Sequence, residues 1–317
     1  MSKRNSTLRK LRHAIAVRVA RAALIFTPRL SLEHTQSFGA ALGSVAARLP
    51  GKRRARVMEN LRLAFPEKSA SWRQHTLVEC FRSMGRLAME GPWLGAWNEA
   101  AEMARYRVAD PERLARTLKM AAENGRGLII FGAHMGAIEL GLPYLARKLG
   151  APVATMAAKP KIPELAADLT KLRELSGVRQ FYRGEGATAA IRHVIGGGVL
   201  IMVVDHNIKG EGMDIPFFGR DAHTLLAPAR LALQVSATVN TIFVLRDGPG
   251  RYVLECGEPF VAEKLSKDSQ DKLRQQAALA LEYTKRIEDV VRRYPGQFMW
   301  MHRRWEKRSG TLPFPRS

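Results

Sequence analysis

Gly127-Leu128-Ile129-Ile130-Phe131-Gly132-Ala133-His134-Met135-Gly136-Ala137-Ile138-Glu139 is the stretch that decides the fold. Its apolar run has the length and continuity of a strand buried on both faces, and it stops at a histidine. A small Met-Gly-Ala step leads into a helix-like run to Leu149, with Glu139 five residues after His134. Imidazole is the side chain best suited to take a proton near neutrality, and a nearby carboxylate orients it and stabilises its charged form. On a continuous helix a spacing of five sets two side chains about 140° apart. His134 and Glu139 therefore meet only if the histidine lies in the turn before the helix, with the backbone N–H groups of that helix end facing an anion.

The same alternation extends downstream from Pro111. We expect helix 111–124, strand 127–132, helix 136–148, strand 152–157, helix 163–176, strand 178–182, helix 186–195 and strand 199–204. Helix 224–234, strands 239–246 and 251–256, and a final helix 268–293 follow. This pattern predicts an α/β fold with a largely parallel central sheet flanked by helices. Upstream, Phe38, Leu42, Val45 and Leu49 recur on one face of a helix over 31–49 that Pro50-Gly51 ends. Further helices are expected over 52–64 and 71–89. The division expected is a basic interfacial or anchor helix in 1–30, a helical segment in 31–110, and an α/β core in 111–317.

The chain of 317 residues has 51 basic and 29 acidic residues, a net charge of +22. Residues 1–56 hold thirteen Lys or Arg against Glu33 alone, and residues 285–317 hold nine against three acids. The body is close to neutral, so the two ends are what suit a polyanion. No zinc-finger spacing or aromatic nucleic-acid motif accompanies them, which favours an anionic membrane surface over nucleic acid. Residues 9–28 read as an interfacial helix with snorkelling arginines, because Arg18 and Arg21 interrupt what would otherwise be an apolar span. A short tilted anchor is the alternative. Cys80 and Cys256 are the sole cysteines, which excludes a disulfide scaffold and a cysteine zinc site.

Other constellations carry less. Gly196-Gly197-Gly198 precedes a strand and lacks a following Gly-Lys-Ser/Thr, so it reads as a helix cap and turn rather than a phosphate loop. No Gly-x-Ser-x-Gly elbow is present. Asp205-His206-Asn207 follows a buried strand; Asp205 reads as a cleft carboxylate on the side of His134, with a metal site the weaker alternative because His-Asn supplies few good ligands. Arg183 ends the strand 178–182 and is either a phosphate contact or an exposed ion-pairing arginine. Pro216-Phe217-Phe218-Gly219 is too apolar for a surface loop; Phe217 and Phe218 wall an acyl groove or cleft, or tuck into the core. Met299-Trp300-Met301-His302-Arg303-Arg304-Trp305 suits a bilayer or headgroup contact.

Taken together these segments resemble the bacterial lipid A biosynthesis acyltransferase family, the late or secondary enzymes. The resemblance rests on Arg56 through Asn60-Leu61 to Phe65-Pro66, on His134-x4-Glu139, on Asp205 to Phe217-Phe218-Gly219, and on Tyr294 to Trp305. His-x4-acid alone also marks the wider glycerolipid acyltransferase superfamily, and the Trp-Met-His-Arg-Arg run is more particular. Two departures stand out. Family members often have Asp-His/Gln-Asp where this chain has Asp205-His206-Asn207, and the usual N-terminal anchor is broken by Arg18 and Arg21.

The resemblance implies acyl transfer from an acyl carrier protein thioester to a hydroxyl of a lipid A precursor, at the cytoplasmic face of the bacterial inner membrane. His134 would be the general base and Glu139 its partner, with an oxyanion contact near Met135-Gly136. Arg183, Asp205, Arg303 and Arg304 would line the phosphate or headgroup site. No metal or other cofactor is implied beyond the phosphopantetheine on the donor. A related acyltransferase acting on a lysophospholipid or a glycosylated phosphatidylinositol is the nearest alternative, and a non-catalytic basic membrane coat the more distant one.

Overall fold

The computed structural model describes residues 17–18, 21–158, 163–184 and 186–314. Of the helix expected over 9–28, residues 9–16 and 19–20 lie outside the described residues; 17–18 and 21–26 are helical, and a 3-10 turn spans Thr27–Arg29. Among the described residues no helix is long and apolar enough to cross a membrane.

Three helices follow: α1 (Leu32–Arg48), α2 (Lys52–Ala64) and α3 (Ala70–Trp93). Ser31 caps α1 by accepting from the His34 N–H, and Ser69 caps α3 by accepting from that of Trp72. α1 packs on α3 through its small residues. A Cβ on Gly85 would stand 2.0 Å from the Gly39 carbonyl oxygen, and one on Gly43 would stand 2.2 Å from that of Phe81. Only glycine lets the two backbones come this close. The seam of Gly39, Ala40, Gly43 and Ala47 is buried, so the opposite stripe points outward. Phe38, Leu42, Val45 and Leu49 are 55%, 48%, 55% and 60% exposed. The periodicity that marks this helix in the sequence is thus that of its outer face.

The α/β region has the elements expected, with shifts of a few residues at their ends. They are α4 (Pro111–Asn124), β2 (Leu128–Gly132), α5 (Ile138–Lys148), β3 (Val153–Ala157), α6 (Pro163–Leu175), β4 (Val178–Tyr182), α7 (Ala187–Ile195) and β5 (Val199–Val203). Further on come α8 (Ala227–Val235), β8 (Thr238–Arg246), β9 (Tyr252–Cys256) and α9 (Ser269–Arg293). Sequence periodicity missed β1 (Tyr106–Val108), β10 (Phe260–Val261) and the hairpin β6 (Gly212–Phe217) and β7 (Arg220–Leu225). The first two are too short to show a period.

The sheet order is β1-β9-β8-β2-β5-β3-β4, with β10 also pairing β8. From β8 to β4 the strands are mutually parallel; β9 runs antiparallel to β8, and β1 is parallel to β9. A separate core lies on each face, as strand alternation requires: Ile129 and Phe131 enter one cluster, Leu128 and Ile130 the other. A buried polar network fastens α3 to the sheet. Arg246 at the end of β8 donates from Nε to Glu90 at 2.8 Å, Gln36 donates to Glu90 and to the Tyr252 hydroxyl, and Gly250 N–H donates to Gln36.

The aromatic C-terminal segment does not face outward. Trp300 is 1% exposed, donates from Nε1 to the Pro295 carbonyl at 2.8 Å, and packs edge-on against Phe65, Phe218 and Phe298. Trp305 stacks on Phe217 and donates to its carbonyl. The bilayer contact expected for this run is therefore replaced by an aromatic core, in which each indole N–H has a protein acceptor.

Candidate active site

Register places the central pair of residues. β2 and β5 are parallel neighbours with Gly132 opposite Val203. His134 and Asp205 each lie two residues beyond those partners, at the C-terminal edge where ligands of parallel sheets approach. The Asp205 carboxylate accepts twice on Oδ1: from His134 Nδ1 at 2.8 Å and from the His134 backbone N–H at 3.1 Å. Asp205 is 4% exposed. Burial alone would raise its pKa, but the charge and hydrogen bond of His134, aided by His206 and the His134 N–H, hold it well below the usual carboxylate range. An ionised Asp205 fixes the ring proton on Nδ1, which leaves Nε2 as the free base.

Glu139 takes a different partner. It stands in the first turn of α5, and its carboxylate is bound by Arg173 near the end of α6, with Nε at 3.0 Å and Nη2 at 2.5 Å. Arg173 also donates to Gln180. No hydrogen bond joins Glu139 to His134 among the described residues, so the carboxylate that orients the imidazole is Asp205.

The turn after His134 is tightly held. Gly136 has a φ of +64°, and a Cβ there would sit 2.1 Å from the Val244 oxygen, so only glycine fits. The N–H groups of Met135 and Gly136 donate to the carbonyls of Ala133 and Gln297, and that of Ala137 to Val244. The expected oxyanion contact at Met135-Gly136 is thus already occupied by protein acceptors. No side chain caps the start of α5. Met299 N–H donates to the His134 carbonyl, which ties the C-terminal segment directly to the site.

A feature with no counterpart in the sequence reading lies behind the histidine. The rings of His134, His206 and His302 form a column, with centroids 3.6 and 3.9 Å apart and planes within 9°. Burial pushes the pKa of His206 down to about 3, against the attraction of Asp205, and lowers that of His302. Both rings behind the base are therefore neutral at physiological pH. Asn207 holds the column's far end. Its carbonyl faces His302 Nε2 at 3.1 Å, and its side-chain amide donates to the Arg303, Arg304 and Glu306 carbonyls. An amide at this third position can donate to carbonyls where an aspartate would not.

Ligand atoms of His134, Asp205 and His206 lie within 4.8 Å of one another, close enough to suggest a metal. The stacked rings argue against it: in-plane lone pairs of two parallel imidazoles run side by side and do not converge on one ion.

His134 and Glu139 border a cavity of about 510 Å³. Leu142, Met156, Ile191 and Leu231 make much of its wall apolar, and Arg173, Arg183 and Arg230 supply cationic groups. Arg183, expected at a phosphate, lies in the wall of this cavity. Arg303 and Arg304 do not. Arg303 is paired with Glu306 at the surface. Arg304 is 4% exposed, donates to the His223 carbonyl at 2.6 Å and Thr224 Oγ1 at 2.8 Å, and lies over the Phe217 ring. Its two Nη groups serve the hairpin, and its buried Nε meets no acceptor among the described residues. Phe217 and Phe218 are likewise absent from the cavity wall. The hairpin turns at Phe218-Gly219, both with positive φ, and the two phenyl rings enter the aromatic core.

A largely parallel sheet thus carries a carboxylate-held histidine at its C-terminal edge, opening on an apolar cavity with cationic groups, the build of an α/β enzyme. Residues 1–307 match the family of bacterial lipid A biosynthesis acyltransferases, and the chain belongs to that family. It is 24% identical over 285 residues to the lipid A biosynthesis lauroyltransferase of Escherichia coli (strain K12), covering 87% of this chain and 86% of the relative. It is 25% identical over 284 residues to the lipid A biosynthesis palmitoleoyltransferase of the same organism, covering 85% and 84%. A lipid A biosynthesis acyltransferase of Shigella flexneri matches to the same extent. The chain is an acyltransferase of lipid A biosynthesis.

Proposed function

We propose that the protein transfers a fatty acyl group from an acyl carrier protein thioester to a hydroxyl of a lipid A precursor, with His134 as general base. The observation that carries this reading is the Asp205-His134 pair, whose ring borders the apolar cavity and whose Nε2 is bonded to no described residue. The acceptor hydroxyl gives its proton to Nε2 as its oxygen attacks the thioester carbonyl. The tetrahedral intermediate then expels the thiolate, which recovers that proton from the imidazolium. Asp205 stabilises the imidazolium. With Met135 and Gly136 N–H groups engaged, the uncapped start of α5 is the nearest backbone donor set for the oxyanion. The Glu139-Arg173 pair shapes the cavity beside the base, and Arg183 and Arg230 meet phosphate.

The protein acts at the cytoplasmic face of the inner membrane. Of the large apolar side chains that stand exposed, Ile25, Phe26, Leu30, Phe38, Leu42, Val45 and Leu49 fall within one short stretch of chain. Arg48, Lys52 and Arg53 flank it. An apolar stripe with a basic margin is the composition of an interfacial helix on anionic lipid.

The test is an acyl-transfer assay with purified protein, radiolabelled acyl carrier protein donors, and a Kdo-bearing lipid A precursor beside lysophospholipid acceptors. Label is expected on the precursor, and its transfer is expected to vanish in a His134→Ala protein with unchanged circular dichroism. Label on lysophospholipid alone would reassign the acceptor, and full activity in His134→Ala would overturn the mechanism.

A further inference from the structure

A second cavity, of about 660 Å³, opens on another face of α3, away from Leu87, which lines the catalytic one. α1 and α3 form two of its walls, and the segments around Gly248 and Gly296 close it. Three guanidinium groups meet there: Arg82, Arg86 and Arg246. Arg246 is fully engaged by Glu90 and Ser83. Arg82 has Glu79 at 3.4 Å, but its Nε is buried without any acceptor. Arg86 forms neither a hydrogen bond nor an ion pair with a described residue. Burial, then the charges of Arg246 and Arg82, push its pKa down, against weaker attraction from Glu79 and Glu90. A partly buried cation repelled by two others is costly unless an anion completes it.

The rim says which anion. Ser37, Ala41 and Ser44 line the cavity, and Ala41 shares a helix edge with Phe38 three residues before it and Val45 four after it, both in the exposed apolar stripe. The pocket for charge and the surface for hydrocarbon are thus adjacent along one helix. We infer that this cavity binds the phosphodiester of an anionic membrane phospholipid, gripped by Arg82 and Arg86, with its acyl chains along the stripe of α1. The inference rests on the membrane placement proposed above. Glu79 and Glu90 leave the three arginines with one net positive charge. A phosphodiester monoanion cancels that charge, and a free phosphate dianion exceeds it. Guanidinium groups four residues apart on a helix share a face and suit a phosphate bound by several oxygens.

The test uses the full chain and co-sedimentation with vesicles of phosphatidylcholine alone or of equal parts phosphatidylcholine and phosphatidylglycerol. The Arg82→Gln/Arg86→Gln protein is expected to lose about tenfold of its preference for the anionic vesicles. A control removing the same charge at two exposed sites, Lys119→Gln/Arg274→Gln, is expected to keep it. Equal loss in both proteins would mean diffuse attraction, and no loss in either would mean no site; both outcomes overturn the inference. Inorganic phosphate is the second probe. A rise in Tm at millimolar phosphate that the arginine double variant lacks, without a vesicle difference, would assign the pocket to a soluble phosphate and overturn the lipid claim. Arg82→Lys/Arg86→Lys guards against misfolding, since it retains the charge but not the fork and is expected to be intermediate. Acyl transfer by the unmodified protein in detergent micelles is measured separately. Its failure would overturn the enzymatic reading while leaving the vesicle result standing.

Discussion

At the scale of single residues, two carboxylates compete for the role of partner to His134, and the hydrogen bonds divide them. Asp205→Asn and Glu139→Gln are each expected to lower kcat by about 10²-fold or more, because one loosens the base and the other strands Arg173 in an apolar cavity. Their effects on the ring should differ. Only Asp205 bonds the imidazole, so only Asp205→Asn should disturb the Nδ1–H tautomer seen by 15N NMR of His134. A tautomer change in Glu139→Gln instead would return the orienting role to Glu139. The histidine column makes a second prediction, on stability. His206 is neutral when folded down to about pH 3 but takes a proton near pH 6.5 once unfolded. The unfolded state therefore binds more protons across that interval, so stability is intact above pH 6.5 and falls as pH is lowered toward 3. The slope for one proton is about 1.4 kcal/mol per pH unit, and His302 adds to it with the same sign. Urea midpoints measured from neutral to mildly acid pH should decline, and His206→Phe, which keeps a stacked ring without a titrating nitrogen, should flatten the decline. An unchanged slope in that variant would show that the column is not what titrates.

At the scale of elements, the helices and the parallel strands of the α/β region were legible from their apolar runs, whereas the hairpin β6–β7 carries mixed polar residues and the short β1 and β10 show no period. What the sequence hid was adjacency. His134 and Asp205 both follow buried strands, but nothing in the residues states that those strands pair in parallel with Gly132 opposite Val203. Glu139, five residues away, was the visible candidate, and Arg173, which takes it, lies on another helix. Arg304 and Trp300 misled for a related reason. Paired arginines and tryptophans have the composition of an interface, yet here the Arg304 Nη groups and the Trp300 indole N–H donate inside the protein. The outer stripe of α1 was read as a helical signal alone, because sequence periodicity reveals that a face exists and not what it meets. Its packing turns on glycine instead. Gly85→Val places a branched side chain where the Gly39 carbonyl already lies and is expected to cost about 3 kcal/mol or more, read as a drop in Tm. Gly91→Ala on the same helix, where a Cβ meets nothing within 4 Å, should hold or raise Tm. Equal effects of the two substitutions would mean that the α1-α3 crossing is not close-packed.

At the scale of the whole molecule, charge and apolar surface are distributed unequally. Its basic ends are far from neutral while the body is nearly so, and the exposed apolar side chains gather on the helices that precede the sheet. Replacing Phe38, Leu42 and Val45 with serine is expected to reduce vesicle partitioning by about 100-fold, since each removes apolar area that lipid would cover. Tm should hold, because none of the three contributes to the core. A matching fall in Tm would instead make the stripe part of the folded interior. One helix connects this surface to the chemistry. α3 carries Gly85 against α1 and Leu87 in the wall of the catalytic cavity, so two packed helices, on the order of 20 Å together, stand between the exposed stripe on the outer face of α1 and the reaction site. With the stripe seated in lipid, as proposed above, an acceptor would approach His134 from the same membrane surface that holds the enzyme. Such an enzyme searches in two dimensions: diluting the acceptor with inert lipid should slow it, whereas diluting the whole suspension with buffer should not once the protein is fully bound.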